Sequence, residues 1–210
     1  MNTLILGATG GIGQALARAL AGRVERLWLS GRNAPKLGEL ARSLGAEAVP
    51  AELGSGLEVA SLAQEVGPLD LLIYAAGAAH KASLREESQD GLEHLFTANL
   101  GGCFLALKYL AFNPGARVAL LGVYPDFVTV PGLGAYAATK LGAEALLQTA
   151  RKEFRREGVR FTLVRLLAVA TGLWAPLGGP PKTALPPEAA AERILQGLLA
   201  EPPPEVWEVR

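Results

Sequence analysis

The stretch Asn2–Gly13 limits the fold more tightly than any other. Leu4-Ile5-Leu6 is a short apolar run that reads as a buried strand, and Gly7, Gly10, Gly11 and Gly13 follow it at once. Ile12, Ala15, Leu16, Ala19 and Leu20 then recur at helical spacing. A strand that passes through a glycine-rich turn into a helix gathers free backbone N–H groups and the positive helix end at one spot. Gly7, Thr9, Gly10, Gly11, Ile12 and Gly13 are therefore the expected anchor of a dinucleotide, whose pyrophosphate needs close approach to the backbone. The spacing is G-x-x-x-G-x-G, and an ordinary tight turn uses the same residue type.

The rest of the chain repeats the alternation. Apolar runs at Val24–Leu29, Ala46–Val49, Leu69–Tyr74, Arg117–Leu121, Val159–Leu167 and Glu205–Val209 read as strands. Helical patterns fall at Lys36–Leu44, Leu57–Val66, Ser88–Leu110, Ala135–Arg156 and Pro187–Leu199. Short strands alternating with helices predict an α/β chain: one Rossmann-like domain over 1–210, its doubly wound parallel sheet covered by helices on both faces. Such a sheet takes ligands beyond the carboxyl ends of its strands. Arg32, Glu52-Leu53, Ala75–Gly77 and the segments after Leu121 and Leu167 should gather there.

Composition narrows the partners. Twenty basic residues balance twenty acidic ones, and no basic block offers a footprint for nucleic acid. The most apolar long segment, Ala98–Phe112, is short for a bilayer and contains Lys108, so no membrane span is expected. The first apolar run lacks a basic region before it and leads straight into the glycine turn, unlike a signal peptide. Cys103 is alone and His80 and His94 have no ligand-like spacing, so neither a disulfide nor a metal site is expected. The expected compartment is the cytoplasm.

Two sets of side chains point to chemistry. Ser30-Gly31-Arg32-Asn33 ends the second strand without an acid to accept hydrogen bonds from a ribose 2′-hydroxyl, while the Arg32 guanidinium suits a 2′-phosphate. This favours NADP(H), with NAD(H) as the alternative and a plain surface arginine as the structural one. Tyr136 and Lys140 stand four apart on one helix face. A phenol titrates near ~10, and an adjacent ammonium favours its phenolate, so the two read as a proton-transfer pair for a carbonyl or alcohol substrate.

These motifs, in this order, resemble the short-chain dehydrogenases/reductases in their classical form, over nearly the whole chain. Gly7–Gly13 is similar to the family's cofactor turn, and Tyr136-Ala137-Ala138-Thr139-Lys140 to its tyrosine–lysine motif. The resemblance implies that Tyr136 is the general acid/base, that Lys140 also grips ribose, and that Asn99 holds a water in the proton relay. It places Glu52 and Leu53 beside adenine, Ala75-Ala76-Gly77 on the adenine side, and Thr171 near the carboxamide or phosphates. It also implies a homodimer or homotetramer joined through the tyrosine helix, where Leu141, Ala145, Leu146 and Ala150 face either a partner or the sheet. Gly7, Gly10 and Gly13 fit, too, the G-x-x-G-x-x-G turn of extended relatives acting on nucleotide sugars, but those add a substrate domain for which 210 residues leave no room.

Two departures stand out. The family's active-site serine lies thirteen residues before the tyrosine, where this chain has Val123. Tyr124 and Thr129 are the hydroxyls nearby in sequence. Leu166-Leu167 replaces the usual Pro-Gly after the sixth strand, and the substrate segment, around 172–186, is short and rich in Gly and Pro. Tyr124, Phe127, Trp174 and His80 are candidate pocket walls. Val123 keeps open a second reading, a catalytically weak or inactive nucleotide-binding regulatory protein of the same fold.

Overall fold

In the computed structural model, which describes residues 1–210, seven parallel strands form one sheet. The strands are β1 (Asn2–Leu6), β2 (Arg26–Ser30), β3 (Glu47–Ala48), β4 (Leu69–Tyr74), β5 (Phe112–Val123), β6 (Arg160–Leu166) and β7 (Val206–Val209). Their order is β3-β2-β1-β4-β5-β6-β7, so the chain reverses direction across the sheet between β1 and β4. The crevice at that reversal, at the carboxyl ends of the strands, is where such sheets bind ligands.

Strand alternation sorts the core into two layers. Leu4, Leu6, Leu72, Val118, Leu120 and Leu163 face α3 (Gly56–Val66), α5 (Gly102–Tyr109) and α7 (Gly134–Glu153). Ile5, Leu71, Ile73, Ala119, Leu121 and Val164 face α1 (Gly11–Leu20), α2 (Ala34–Leu44) and α8 (Pro187–Leu198). Residues buried on both faces explain why the strands read as continuous apolar runs. No helix is long and apolar enough to cross a membrane.

Two elements differ from the sequence expectation. The helix expected over Ser88–Leu110 is α4 (Gln89–Phe96) and α5 joined by a π turn at Thr97–Gly101. The widened turn leaves the Ala98 carbonyl to accept the Tyr74 hydroxyl at 2.9 Å. Gly102 makes this possible, since a Cβ there would stand 2.5 Å from that hydroxyl. Strand β5 is longer than Arg117–Leu121 because Asn113-Pro114-Gly115, which looks like a turn, is an irregularity within it. Leu69 pairs with Phe112 but Leu71 with Arg117, and Gly115 takes φ +80° in between. A four-residue helix, α6 (Pro125–Val128), stands in the loop before α7.

Candidate active site

The glycine turn is packed backbone to backbone. Gly7 has φ +83°, and a Cβ on it would stand 2.5 Å from the Ala76 nitrogen. A Cβ on Gly13 would collide with the Gly7 carbonyl, and one on Gly11 would come within 2.6 Å of Thr171 Cγ2. The turn thus touches the segments after β4 and β6 at once. Helix α1 starts at Gly11 with Gly10 as its cap, no capping side chain and no acid in its first turn. Asn33, Ser55 and Ser88 cap α2, α3 and α4. The N–H groups of Gly11, Ile12 and Gly13 therefore have no capping partner and carry the positive helix end behind them, which fits the pyrophosphate of a dinucleotide.

The region beyond the ends of β2 and β3 is polar. Arg32 lies 3.7 Å from the Glu52 carboxylate, joining the ends of β2 and β3, and both side chains are largely exposed. Lys36, which sequence reasoning missed, extends from α2 to donate to the Thr9 carbonyl at 3.1 Å; Gln14 donates to the same oxygen at 2.9 Å. The signal available was a second cation one helical turn beyond Arg32. Leu53 is a core residue, 7% exposed and packed with Tyr74, so it offers an adenine little more than its edge.

Asn99 ties two segments of the site together through its side chain. Its side chain, 1% exposed, accepts from the Ala78 N–H at 2.9 Å and donates to the Ala78 carbonyl and to Thr139 Oγ1, both at 3.0 Å. Thr139 in turn donates to the Tyr136 carbonyl at 2.8 Å. Asn99 makes no direct bond to Lys140; it clamps the Ala75–Ala78 segment, including Gly77, to the helix that carries the tyrosine.

Tyr136 and Lys140 lie on α7 as expected, but their electrostatics run against the expected coupling. Tyr136 is 8% exposed, in an apolar cluster with Ala79, Leu95, Val128 and Ala137, and burial pushes its phenol up to about 12. Lys140 is half-buried and donates to the Leu121 carbonyl at 2.6 Å, and burial pulls its ammonium down to about 8. Desolvation of the phenol thus outweighs any attraction to the lysine. Val123 packs against the Tyr136 cluster at the end of β5.

The segment after β6 is a short strap. Thr171 Oγ1 accepts from Leu173 N–H at 3.4 Å and starts a 3₁₀ helix over Gly172–Leu177. Leu177 packs on the Tyr136 cluster, and Trp174 donates to the Val169 carbonyl at 2.9 Å. A predominantly apolar cavity of about 330 Å³ lies beside α7, lined by Val128, Val130, Ala137 and Leu141 among others. His80 is paired with Glu87 at 2.8 Å. A second cavity, of about 520 Å³, lies at the amino ends of the strands. Its charged groups are already satisfied, Asp70 by Asn2 and Asn113 and Arg117 by Glu201, so it has no claim on the chemistry.

Comparison with known proteins agrees with this arrangement. A model of the short chain dehydrogenase family matches residues 1–180. An uncharacterized oxidoreductase of Mycobacterium tuberculosis H37Rv is 30% identical over 172 residues, covering 76% of this chain. The chain spans just under two thirds of that relative, 64% of its length. A solved protein of Thermus thermophilus, described as a short-chain oxidoreductase, superposes with a TM-score of 0.90 at 55% identity, covering 94% of this chain and 96% of that one. An alcohol dehydrogenase of the archaeon Thermococcus sibiricus, complexed with 5-hydroxy-NADP, superposes at 0.83 with 26% identity, covering 99% and 94%. The sequence motifs, the sheet order and these matches converge: this chain belongs to the short-chain dehydrogenase family of oxidoreductases.

Proposed function

We propose that this protein is an NADP(H)-dependent oxidoreductase that passes hydride between the nicotinamide and a carbonyl or alcohol substrate, with Tyr136 as the general acid/base, described here in the direction of reduction. The observation that carries the reading is the meeting, at the carboxyl ends of the strands, of an uncapped glycine-rich helix start with the Tyr136–Lys140 pair. When bound, the reduced nicotinamide supplies a hydride to the carbonyl carbon. Tyr136 gives its proton to the carbonyl oxygen, so that an alcohol leaves. A phenol held near 12 keeps that proton at neutral pH, which suits the acid role in reduction. Lys140, still mostly charged at pH 7, exchanges its bond to Leu121 for a ribose hydroxyl. Ala75, Ala76 and Gly77 border the nucleotide, and Thr171 closes on it from the β6 side. The apolar residues packed around the Tyr136 phenol, Leu95, Val123, Val128 and Leu177 among them, favour a hydrophobic aldehyde, ketone or quinone.

Arg32 and Lys36 support NADP(H) over NAD(H): Arg32 releases Glu52 and turns its guanidinium to the 2′-phosphate. The dinucleotide complex of the Thermococcus relative, a 5-hydroxy-NADP complex, points the same way. Arg32→Ala is expected to weaken NADPH about 10- to 100-fold, the loss of one charge-assisted contact, while NADH affinity holds. Fluorescence titration with both cofactors checks this, and an equal loss for both would remove Arg32 from 2′-phosphate recognition. The function itself is tested by NADPH oxidation across aldehydes, ketones and quinones. Tight NADPH binding with no turnover on any of them would favour the regulatory reading that Val123 keeps open.

The assembly proposed is a homodimer or homotetramer. Ala150 lies in the core and Leu146 packs against it, so the α7 surface expected to meet a partner is partly claimed by the sheet. Leu92, Phe96, Phe104 and Tyr109, on α4 and α5, remain exposed and apolar. Light scattering should give at least twice the 21.9 kDa chain mass; a concentration-independent monomer would defeat this.

A further inference from the structure

We propose that this site selects electron-poor carbonyls, those with a second carbonyl attached to the reacting carbon, because Tyr136 is the one side chain left to meet the substrate oxygen; this rests on the oxidoreductase reading above. The Tyr136 ring is packed with Ala79, Leu95, Val128 and Ala137, and Val123 and Leu177 lie against that cluster. None of these carries a side-chain donor. The polar side chains brought to this end of the sheet are already engaged. Asn99 spends its amide protons on the Ala78 carbonyl and Thr139 Oγ1, and Thr139 spends its own on the Tyr136 carbonyl. Thr129 donates to the Pro125 carbonyl at 2.8 Å, and Trp174 Nε1 to the Val169 carbonyl at 2.9 Å. His80 Nε2 meets the Glu87 carboxylate at 2.8 Å. The Tyr124 oxygen is drawn to the β7 edge, where it accepts from Arg210 Nε at 3.2 Å. Thr171 stands against Gly11 at the glycine turn, and Lys140 rests on Leu121.

A lone donor shifts a burden onto the substrate. As hydride forms the new C–H bond, the π pair of the C=O group moves onto oxygen and takes the Tyr136 proton. The carbonyl is reduced to an alcohol, NADPH is oxidised to NADP⁺, and solvent returns a proton to the tyrosine. In a plain ketone the developing charge concentrates on that oxygen. In an α-dicarbonyl compound the neighbouring carbonyl withdraws part of it through the substrate's own bonds. One preorganised donor at such an oxygen is worth about 10²- to 10³-fold in rate, so a site with one donor fewer penalises the plain ketone most. The apolar packing sharpens the contrast, since charge left without a partner is costliest where the surroundings are apolar.

The experiment uses the full chain with saturating NADPH and two matched pairs of probes, diacetyl with butanone and benzil with deoxybenzoin. Each pair differs by one carbonyl, and kcat and KM are measured separately. The wild type should turn over the diketone of a pair about 100-fold faster than its monoketone, in kcat. Diketones are also intrinsically more reactive, so the Val123 variants decide. Val123→Thr keeps the valine shape and adds one hydroxyl beside the Tyr136 cluster. It should raise the monoketone kcat about 10- to 100-fold and the diketone kcat far less, so that the ratio falls at least about tenfold. Val123→Ser should act in the same direction, while Val123→Ala, which opens space without a hydroxyl, should leave the ratio at its wild-type value. A wild type that reduces both members of a pair equally fast, or that reduces aldehydes but neither diketone, would overturn the inference and leave the oxidoreductase reading standing. So would Thr and Ser variants with the wild-type ratio, or an Ala variant that matches them. A wild type that binds NADPH but turns over nothing would overturn both.

Discussion

Tyr136→Phe is expected to lower kcat by about 10²- to 10⁴-fold, the usual contribution of a positioned proton donor. Affinity for NADPH should persist, because the nucleotide is held by the glycine turn and the Arg32 side. The fold should persist as well: the phenol hydroxyl makes no hydrogen bond to the protein, and its ring fills the cluster of Ala79, Leu95, Val128 and Ala137 equally well as phenylalanine. The pH profile gives an independent check. With Tyr136 held near 12 and Lys140 near 8, the lysine is the group that titrates in the working range. In the reducing direction kcat/KM should fall as pH rises through about 8 and the ammonium is lost, while the phenol stays protonated. Lys140→Met should be slower and should lack that limb. A limb that survives the substitution would assign it to another group.

The second large effect is structural. Gly7→Ala forces a side chain into a conformation with φ +83° and against the Ala76 backbone, which no rotamer change can relieve. The left-handed backbone costs about 1–2 kcal/mol, and overpacking adds about 1–3 kcal/mol. A total of about 3 kcal/mol should lower Tm by about 6–12 °C in a chain of this size. NADPH binding should fail with it, because the turn can no longer sit on the Ala75–Ala76 segment. Gly22→Ala is the control: it shares a positive φ, +70°, but its Cβ would meet nothing within 4 Å. It should cost only the backbone term of about 1–2 kcal/mol and leave NADPH binding intact. Equal effects at Gly7 and Gly22 would mean that the close approach to Ala76 is immaterial.

Local pattern made much of this molecule legible. The β1–glycine–α1 unit, the six further strands and the tyrosine helix all follow from residues near in sequence, because buried strands and amphipathic helices leave strong local periodicities. The start of β5 was not legible, since Asn113-Pro114-Gly115, where the strand absorbs a kink, has the composition of a turn. The π turn at Thr97–Gly101 has no local signature for a related reason: the carbonyl it frees, that of Ala98, is taken by the Tyr74 hydroxyl, far away in sequence. The site residues divide the same way. That Gly7–Gly13 and Tyr136–Lys140 meet at one end of the sheet follows from motif and topology. That Asn99 clamps Ala78 to Thr139, that Lys36 reaches Thr9, and that Lys140 rests on Leu121 depends on side-chain packing that no spacing encodes. The phenol's upward shift is the clearest case. Charge proximity can be guessed from i,i+4 spacing, but desolvation depends on Leu95 and Val128, which arrive from other elements.

The most direct test is a crystal structure of the protein with NADPH. The account predicts the pyrophosphate on the N–H groups of Gly11, Ile12 and Gly13, the 2′-phosphate beside Arg32, and the nicotinamide ring facing the Tyr136 hydroxyl across an open substrate space. A nucleotide seated at that turn with its nicotinamide directed away from Tyr136, in a form that still turns over substrate, would contradict it.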